Sequence, residues 1–354
     1  MDKTELKVGL GALAGFIERS LVTVGLPAED ARAVSLLMAE ADLQGSDAHG
    51  VFRLPQYVKR IKAGGMNARP DIRIVREKGA MALLDGDNAM GHLVMKRAAE
   101  IASEKAAAEG VGWVGAYHSN HAGPASLYAR MPLARNQIGV YVAVGSANHL
   151  PPWGGTEMLL STNPLAVAIP SATRPPIVLD MAPTVAAYGK VKQKAQRGEQ
   201  MPEGWMVDRE GRPLTDPTRA AEGFLLPIGG PKGYGLALIF GLLAGTLNGA
   251  ALGRETIDFN VDAASATNTG HFILAIDIAA FGDVRAFLQR VDHVFDEMKS
   301  SPLMPGFDEI RLPGEQSARV RAEREAEGVP IPPGLRKALD ELASSLGVEP
   351  LGAQ

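Results

Sequence analysis

Leu10, Leu13, Ile17 and Leu21 recur at helical spacing, and Ala28 to Ala41 forms a second amphipathic run. A third run, Leu54 to Ala63, stops at Gly64-Gly65, so residues 4–62 read as helices. Asn67-Ala68-Arg69-Pro70 then reads as a connection into a different kind of structure. From residue 72 the pattern changes to short apolar runs between glycine turns. It predicts strands at Ile72–Arg76, Ala80–Asp85, Val111–Ala116, Gly139–Val144, Ala166–Pro170, Ile177–Asp180 and His271–Asp277, interrupted by one clear helix, Leu93 to Ala108. Residues 282–299 and 334–346 return to helix, and the highly charged Gly314–Gly328 belongs at the surface. The expected class is mixed α/β, with a helical lobe over 1–70, an α/β domain over 71–280, and C-terminal helices over 281–354 packing back on the helical lobe.

One apolar stretch complicates this picture. Gly233 to Gly253 is 21 residues without a charge, bracketed by Lys232 and Arg254, a length that would cross a bilayer. Six of those residues are glycine, and Thr246 and Asn248 interrupt the run, so a buried helix in a tightly packed core is expected instead. The 354-residue chain is 46% hydrophobic and 21% charged, an ordinary globular balance. A formal charge of -4 and the lack of a basic run argue against a nucleic-acid partner. Cysteine is absent, which removes disulfides and thiol chemistry and fits a reducing cytoplasm. The start, MDKTELKVGL, has no apolar signal core.

Candidate chemistry concentrates in a few clusters. Tyr117-His118-Ser119-Asn120-His121-Ala122-Gly123 follows a predicted strand and packs two of only seven histidines, a hydroxyl and an amide together. Imidazole exchanges a proton near neutral pH, although such a loop also forms where histidines only cap backbone groups. In Ser46-Asp47-Ala48-His49-Gly50-Val51-Phe52-Arg53, a helical path would put His49 and Arg53 at i and i+4 on one side. Arginine there suits a substrate carboxylate beside a carbon whose oxygen a histidine serves; a helix-end histidine with a surface arginine is the plain alternative. Gly229-Gly230-Pro231-Lys232-Gly233-Tyr234-Gly235 precedes the apolar helix and suits a phosphate or a simple glycine turn. Ser161-Thr162-Asn163 and the strand ending at Asp180 add polar groups at turns.

Two familiar motifs fail on context. Gly9-Leu10-Gly11-Ala12-Leu13-Ala14 fits G-x-G-x-x-A, but only eight residues precede it and its periodicity is helical, so the match is coincidental and a nicotinamide cofactor, if bound, is expected to be held without a Rossmann fingerprint. His118 and His121 could share a metal only on a helix, with His149 as a third ligand and no H-E-x-x-H pattern nearby, so no metal is expected. No G-x-S-x-G elbow supports a serine hydrolase.

Taken in order, these clusters resemble the type 2 malate/L-lactate dehydrogenase family, whose NAD(P)-dependent members are unrelated to the Rossmann dehydrogenases. The likeness runs from about residue 5 to 335 through Asp47–Tyr57, Asp85-Gly86-Asp87, Asn120–Gly123, Pro152–Gly155, Thr162–Leu165, Asp180–Ala182, Gly189–Val191, Pro231–Gly235, Gly270–Asp277 and Leu312–Glu315. Family members act on malate, lactate, sulfolactate, ureidoglycolate or diketogulonate, and one branch reduces cyclic imino acids. By position, the resemblance implies His49 as proton donor, His121 as proton acceptor and Lys190 as a third catalytic position. It implies Arg53, Thr162, Tyr188 and Gly189 at the substrate. It implies Asn120, Ala122, Gly123, Ser146, Asp180, Met181, Ala182, Lys232, Gly233, Gly314, Glu315 and Gln316 at NAD or NADP, which it does not distinguish. A homodimer is also implied.

Two departures bear on the substrate. The family's Ser-His-Gly reads Ala48-His49-Gly50, and the imine-reducing branch has an aspartate where this chain has Lys190. Positive charge at 190 favours an anionic substrate. The expected reaction is hydride transfer between nicotinamide and C2 of a small 2-hydroxy or 2-oxo acid. Reduction of a pyrroline- or piperideine-2-carboxylate is the alternative, and a nicotinamide-binding protein that has lost turnover, with Ala48 as its first sign, is the second.

Overall fold

In the computed structural model, which describes residues 6–352, the chain begins on a short strand, Leu6–Val8. Three helices follow, α1 (Leu10–Thr23), α2 (Ala28–Leu43) and α3 (Leu54–Lys62). The strand corrects the all-helical reading of this region, of which residues 4 and 5 lie outside the described residues. It pairs antiparallel with Val329–Ile331, a partner at the other end of the chain that no local window contains. Gly9 therefore does follow a strand, but one of 3 residues outside the main sheet, leading into a helix that buries Leu13, Phe16, Ile17 and Leu21.

The main sheet has seven strands, β1 (Arg73–Lys78), β2 (Met81–Asp85), β3 (Val111–Ser119), β4 (Gln137–Ala143), β5 (Leu165–Ile169), β6 (Ile177–Met181) and β7 (Thr269–Asp277). Their spatial order is β1-β2-β3-β7-β4-β5-β6. Only β2 and β3 pair in parallel, and the crossover that parallel strands require is α4 (Gly91–Glu109). The fold is thus α/β with a mixed, non-Rossmann sheet and a helical N-terminal region. All seven predicted strands form. β3 extends through Tyr117 and His118 to Ser119, so the front of the histidine cluster lies in the strand rather than in the loop after it. The remaining helices are α5 (Ser126–Ala129), α6 (Tyr188–Arg197), α7 (Pro231–Ala244), α8 (Val284–Lys299), α9 (Glu315–Glu327) and α10 (Pro333–Leu346).

One apolar core joins α1, α2 and α3 through Phe16, Met38 and Tyr57 to Leu339 and Ala343 of α10. A second lies between α4 and the sheet, from Val94, Met95 and Ala98 to Val114, Tyr141 and Ile273. α8 is tied to the turn after β5 by Asp292, which accepts from the backbone of Ala172, Thr173 and Arg174.

α7 departs from the expected buried helix. Its buried positions are Gly233, Ala237, Gly241 and Ala244, whereas Leu236, Ile239 and Leu242 face outward. The small residues let the helix approach the chain beneath it closely, and the large apolar ones remain on the surface. Among the described residues, no helix is long and apolar enough to cross a membrane.

The antiparallel pairings bring the C-terminal ends of β3 and β4 to the same edge of the sheet as the N-terminal ends of β5 and β7. Ser119 pairs with Thr269, Ala143 with His271 and Val142 with Leu165. The candidate site is built on that edge.

Candidate active site

The histidine cluster splits at this edge. His118 adopts a positive φ of 46°, uncommon for a residue with a side chain, and its Nδ1 lies 3.1 Å from Asp85 Oδ1 on the exposed side. His121 turns inward to line the cleft. Between them, Asn120 is fully buried, donating to Asn88 and Ala89 oxygens at 2.9–3.1 Å and accepting the Thr267 hydroxyl at 3.0 Å. Its amide is committed to holding the turn, beneath the cleft rather than on its lining.

His121 Nδ1 lies 2.6 Å from the hydroxyl of Tyr57 on α3, with the Gly123 N–H more distant at 3.4 Å. His49 stacks on His121, ring centroids 5.6 Å apart and planes at 14°. His49 and Arg53 do not share an α-helix as the spacing suggested. They sit on two short 3₁₀ turns, Asp47–His49 and Val51–Arg53, broken at Gly50. A Cβ on Gly50 would lie 2.0 Å from Asp42 Oδ1, and Asp42 accepts the Val51 N–H at 2.7 Å, so glycine there lets the carboxylate grip the turn. Burial pushes that carboxyl up to about 8.

Arg53 donates from Nε to Ala48 O at 2.8 Å and from Nη1 to Asn260 Oδ1 at 3.0 Å, which leaves the outer edge of the guanidinium facing the cleft. The segment carrying Asn260 is held by Arg60, a fully buried guanidinium that donates to the carbonyls of Asp262, Gly65 and Ser265 and lies over the Phe259 ring. Burial, reinforced by Arg53, lowers His49 to about 4. Burial and then Arg53 hold His121 well below the usual imidazole range. Both rings are therefore neutral at neutral pH, the form that accepts a proton.

The cleft encloses about 480 Å³. Ala122, Gly123, Ser146 and Thr162 lie on its sheet side, and Tyr188, Gly189 and Lys190 enter from the start of α6. A Cβ on Gly189 would lie 3.4 Å from that of Ala48, so Ala48 packs against the start of α6, one residue before Lys190. Several contributors were not singled out from the sequence. Lys192 and Arg197, one and two turns further along α6, bring two more cations to the lining. His149, which the sequence offers only as a metal ligand, stacks on Tyr188 at 4.2 Å and lines the cleft. Tyr57 looks like an ordinary core aromatic at helical spacing. Among the described residues, no group of three or more His, Asp and Glu side chains is arranged to hold a metal.

The other expected cofactor residues lie outside this cleft but form a connected run. Asp180 accepts the Ser126 N–H at 2.8 Å. Two residues earlier on β6, Val178 N–H bonds Pro313 O at 2.9 Å, which sets Gly314 against the strand. Just past Met181 and Ala182, Pro183 O accepts from Ile228 N–H at 3.0 Å and brings the Lys232–Gly233 turn alongside. The first N–H groups of α7 are spent internally, Gly233 on Ile228 O and Tyr234 on Gly230 O, so Lys232 is the cationic element there. At α9, Glu315 N–H bonds Leu312 O and Ala318 N–H bonds Gly314 O. Among the described residues the N–H groups of Gln316 and Ser317 make no backbone hydrogen bond, and the Glu315 carboxylate, which accepts from Leu312 N–H and Lys299 Nζ, occupies the same helix start. These segments thus lie side by side along β6 and the turn after it.

The structure thus combines a mixed, non-Rossmann sheet with a cationic cleft and two buried histidines held neutral. The profile of the malate/L-lactate dehydrogenase family matches residues 9–340. Malate dehydrogenase of Pyrococcus horikoshii is 36% identical over 99% of this chain and 98% of its own length, and its structure superimposes with a TM-score of 0.91 over 99% and 98% of the two chains. L-sulfolactate dehydrogenase of Methanocaldococcus jannaschii is 37% identical over 92% of each chain, with a TM-score of 0.90 for its structure. The Δ1-piperideine-2-carboxylate reductase of Pseudomonas syringae is 27% identical over 96% of this chain and all of its own, with a TM-score of 0.84. The chain belongs to the malate/L-lactate dehydrogenase family and is an NAD(P)-dependent 2-hydroxy acid dehydrogenase.

Proposed function

We propose that this enzyme oxidises, and in reverse forms, a small 2-hydroxy acid carrying a second negative charge, of the malate or sulfolactate type. The observation that carries this reading is the cation distribution: Arg53 at one end of the cleft, and Lys190, Lys192 and Arg197 on the opposing helix. Arg53 takes the carboxylate with its outer edge, and the α6 cations take the distal carboxylate or sulfonate. The nicotinamide, when bound, supplies the hydride chemistry at C2. The protein aligns the substrate and handles one proton. We assign His121 as the group that removes the hydroxyl proton, since its far nitrogen is fixed by Tyr57, and His49 as the ring that packs it and borders the same oxygen. The malate and sulfolactate relatives support the substrate class. The cyclic-imine alternative lacks support at Ala48 and Lys190, where a hydroxyl and a carboxylate are replaced by a methyl group and a cation.

Charge removal on α6 checks this. Lys192→Met and Lys190→Met should raise KM for a dianionic substrate by about 10-fold or more while altering pyruvate turnover little, since a charged hydrogen bond is worth ~1.5–3 kcal/mol. Equal effects on mono- and dianionic substrates would remove the proposed distal site.

We further propose that two copies associate through α7. Leu236, Ile239, Leu242 and Leu247 are 41%, 52%, 40% and 61% exposed and fall on one side of the helix and the turn after it, an apolar patch of the kind that marks an interface. Light scattering should give twice the chain mass, and Leu236→Glu with Ile239→Glu should give the monomer; a monomeric native protein would contradict this. We place the enzyme in the cytoplasm, where nicotinamide cofactors circulate.

A further inference from the structure

Proton transfer at His121 and His49 leaves a third cleft histidine, His149, without a role. It is the middle residue of a short strand, Asn148–Leu150, which pairs antiparallel with Leu160–Ser161. Strand side chains alternate, and Leu150 is fully buried in the apolar cluster with Val191 and Ala237, so the His149 ring faces the other way and lines the cleft. There it stacks on Tyr188, centroids 4.2 Å apart and planes at 11°. Lys192, one turn further along α6, sets its ammonium 5.5 Å from the centre of that same ring. Tyr188 thus gathers an imidazole from a strand and an ammonium from a helix at one part of the cleft.

Neither group is satisfied by protein. Among the described residues the His149 nitrogens make no hydrogen bond, and they are not sealed from solvent. The Lys192 ammonium likewise has no hydrogen bond and no carboxylate at ion-pair distance among the described residues. Asp258 acts on both groups from further off, and its Oδ1 is taken by the backbone N–H and Nδ2 of Asn260 at 2.8 and 3.1 Å. Burial lowers His149 to about 4, with Asp258 pulling upward and Lys192 downward, so the ring is neutral and carries one N–H. A neutral donor beside a cation, neither with an acceptor of its own, suits an anionic oxygen. Arg53 takes the carboxylate next to the reacting carbon, which leaves this place for a second anionic group.

We propose that His149 is a specificity-determining residue whose ring N–H donates to the distal carboxylate or sulfonate of the 2-hydroxy acid, beside the Lys192 ammonium and with its plane set by Tyr188. This inference rests on the reading of the substrate as a dianion. Flexible lysines attract an anion from any direction, whereas a stacked imidazole fixes where the second charge must stand. A monoanionic acid leaves the same N–H to water and gains nothing from it.

The test is steady-state reduction of 3-sulfopyruvate and pyruvate by native enzyme, His149→Phe and His149→Gln, with fluorescence titration of the reduced nicotinamide cofactor on each. Phenylalanine keeps the stack on Tyr188 and removes both nitrogens; glutamine keeps an N–H donor. His149→Phe should lower kcat/KM for 3-sulfopyruvate relative to pyruvate by about 10-fold or more, the loss lying in KM, as expected for a hydrogen bond to a charged group. His149→Gln should keep the native ratio within about 3-fold. An equal loss on both substrates, a loss confined to kcat, or a ratio unchanged in His149→Phe would overturn the proposal. Weakened cofactor binding in His149→Phe would also overturn it, by placing the ring at the nicotinamide instead. Should His149→Phe not fold, His149→Met carries the same comparison. Native enzyme that prefers pyruvate would sink the dianion reading itself, an outcome seen without any variant.

Discussion

His121→Ala should lower turnover by ~10²–10⁴-fold while leaving cofactor affinity nearly unchanged, the usual cost of removing a positioned acid-base group. His121 lines the cleft, its ring is kept neutral by burial and by Arg53, and its Nδ1 is fixed by Tyr57. His49→Ala should cost less, because His49 packs the reacting ring without a hydrogen-bond partner of its own among the described contacts, yet more than a surface change, because the stack at 5.6 Å is lost. Stopped-flow or steady-state kinetics in both directions check the ranking. Full activity in both variants would remove the proposed proton chemistry, and a larger loss in His49→Ala would exchange the two roles.

The second large effect is on stability against acid. Burial lowers His49, His149 and His271 to about 4 and His92 to about 3, and holds His121 well below the normal value of 6.5. Between pH 6.5 and about 4 the unfolded chain binds protons that the folded chain refuses, so folding stability falls as pH falls. Each fully titrating ring contributes up to ~1.4 kcal/mol per pH unit. His49 and His149 border the cleft, and their shares are reduced by solvent screening. Asp42, pushed up to about 8 from 3.8, acts in the opposite sense over the same window and offsets about one ring. Melting temperature should therefore drop steeply from pH 6.5 to 5, and His92→Gln should flatten the slope. A melting temperature independent of pH across that window would show that the buried rings are paired in ways that keep their ordinary affinity for protons.

Much of the sheet was legible because strand alternation is local: all seven strands of the sheet could be read from apolar runs of about five residues between glycines. Leu6–Val8 could not, since a 3-residue strand exists only through its partner at Val329–Ile331. The orientation of α7 was hidden for another reason. A helix apolar on all sides has no face to read, and it was the small residues at 233, 237, 241 and 244 that went inward. The clusters around His49 and His121 were visible as dense polar chemistry at strand and helix ends. Tyr57, His92 and Lys192 were not, because each looks like a routine helical residue until the fold sets it beside those clusters. His118 shows the converse. Three positions from His121 in sequence, it is turned away by its own backbone and pairs with Asp85.

The most direct measurement of the central claim is the loss of reduced-nicotinamide absorbance with oxaloacetate, 3-sulfopyruvate, pyruvate and Δ1-piperideine-2-carboxylate, using NADH and NADPH in parallel. kcat/KM for one of the two dianionic 2-oxo acids should exceed that for pyruvate by at least about 10-fold, and the imine should be the poorest substrate. Turnover of the imine above every 2-oxo acid would contradict it.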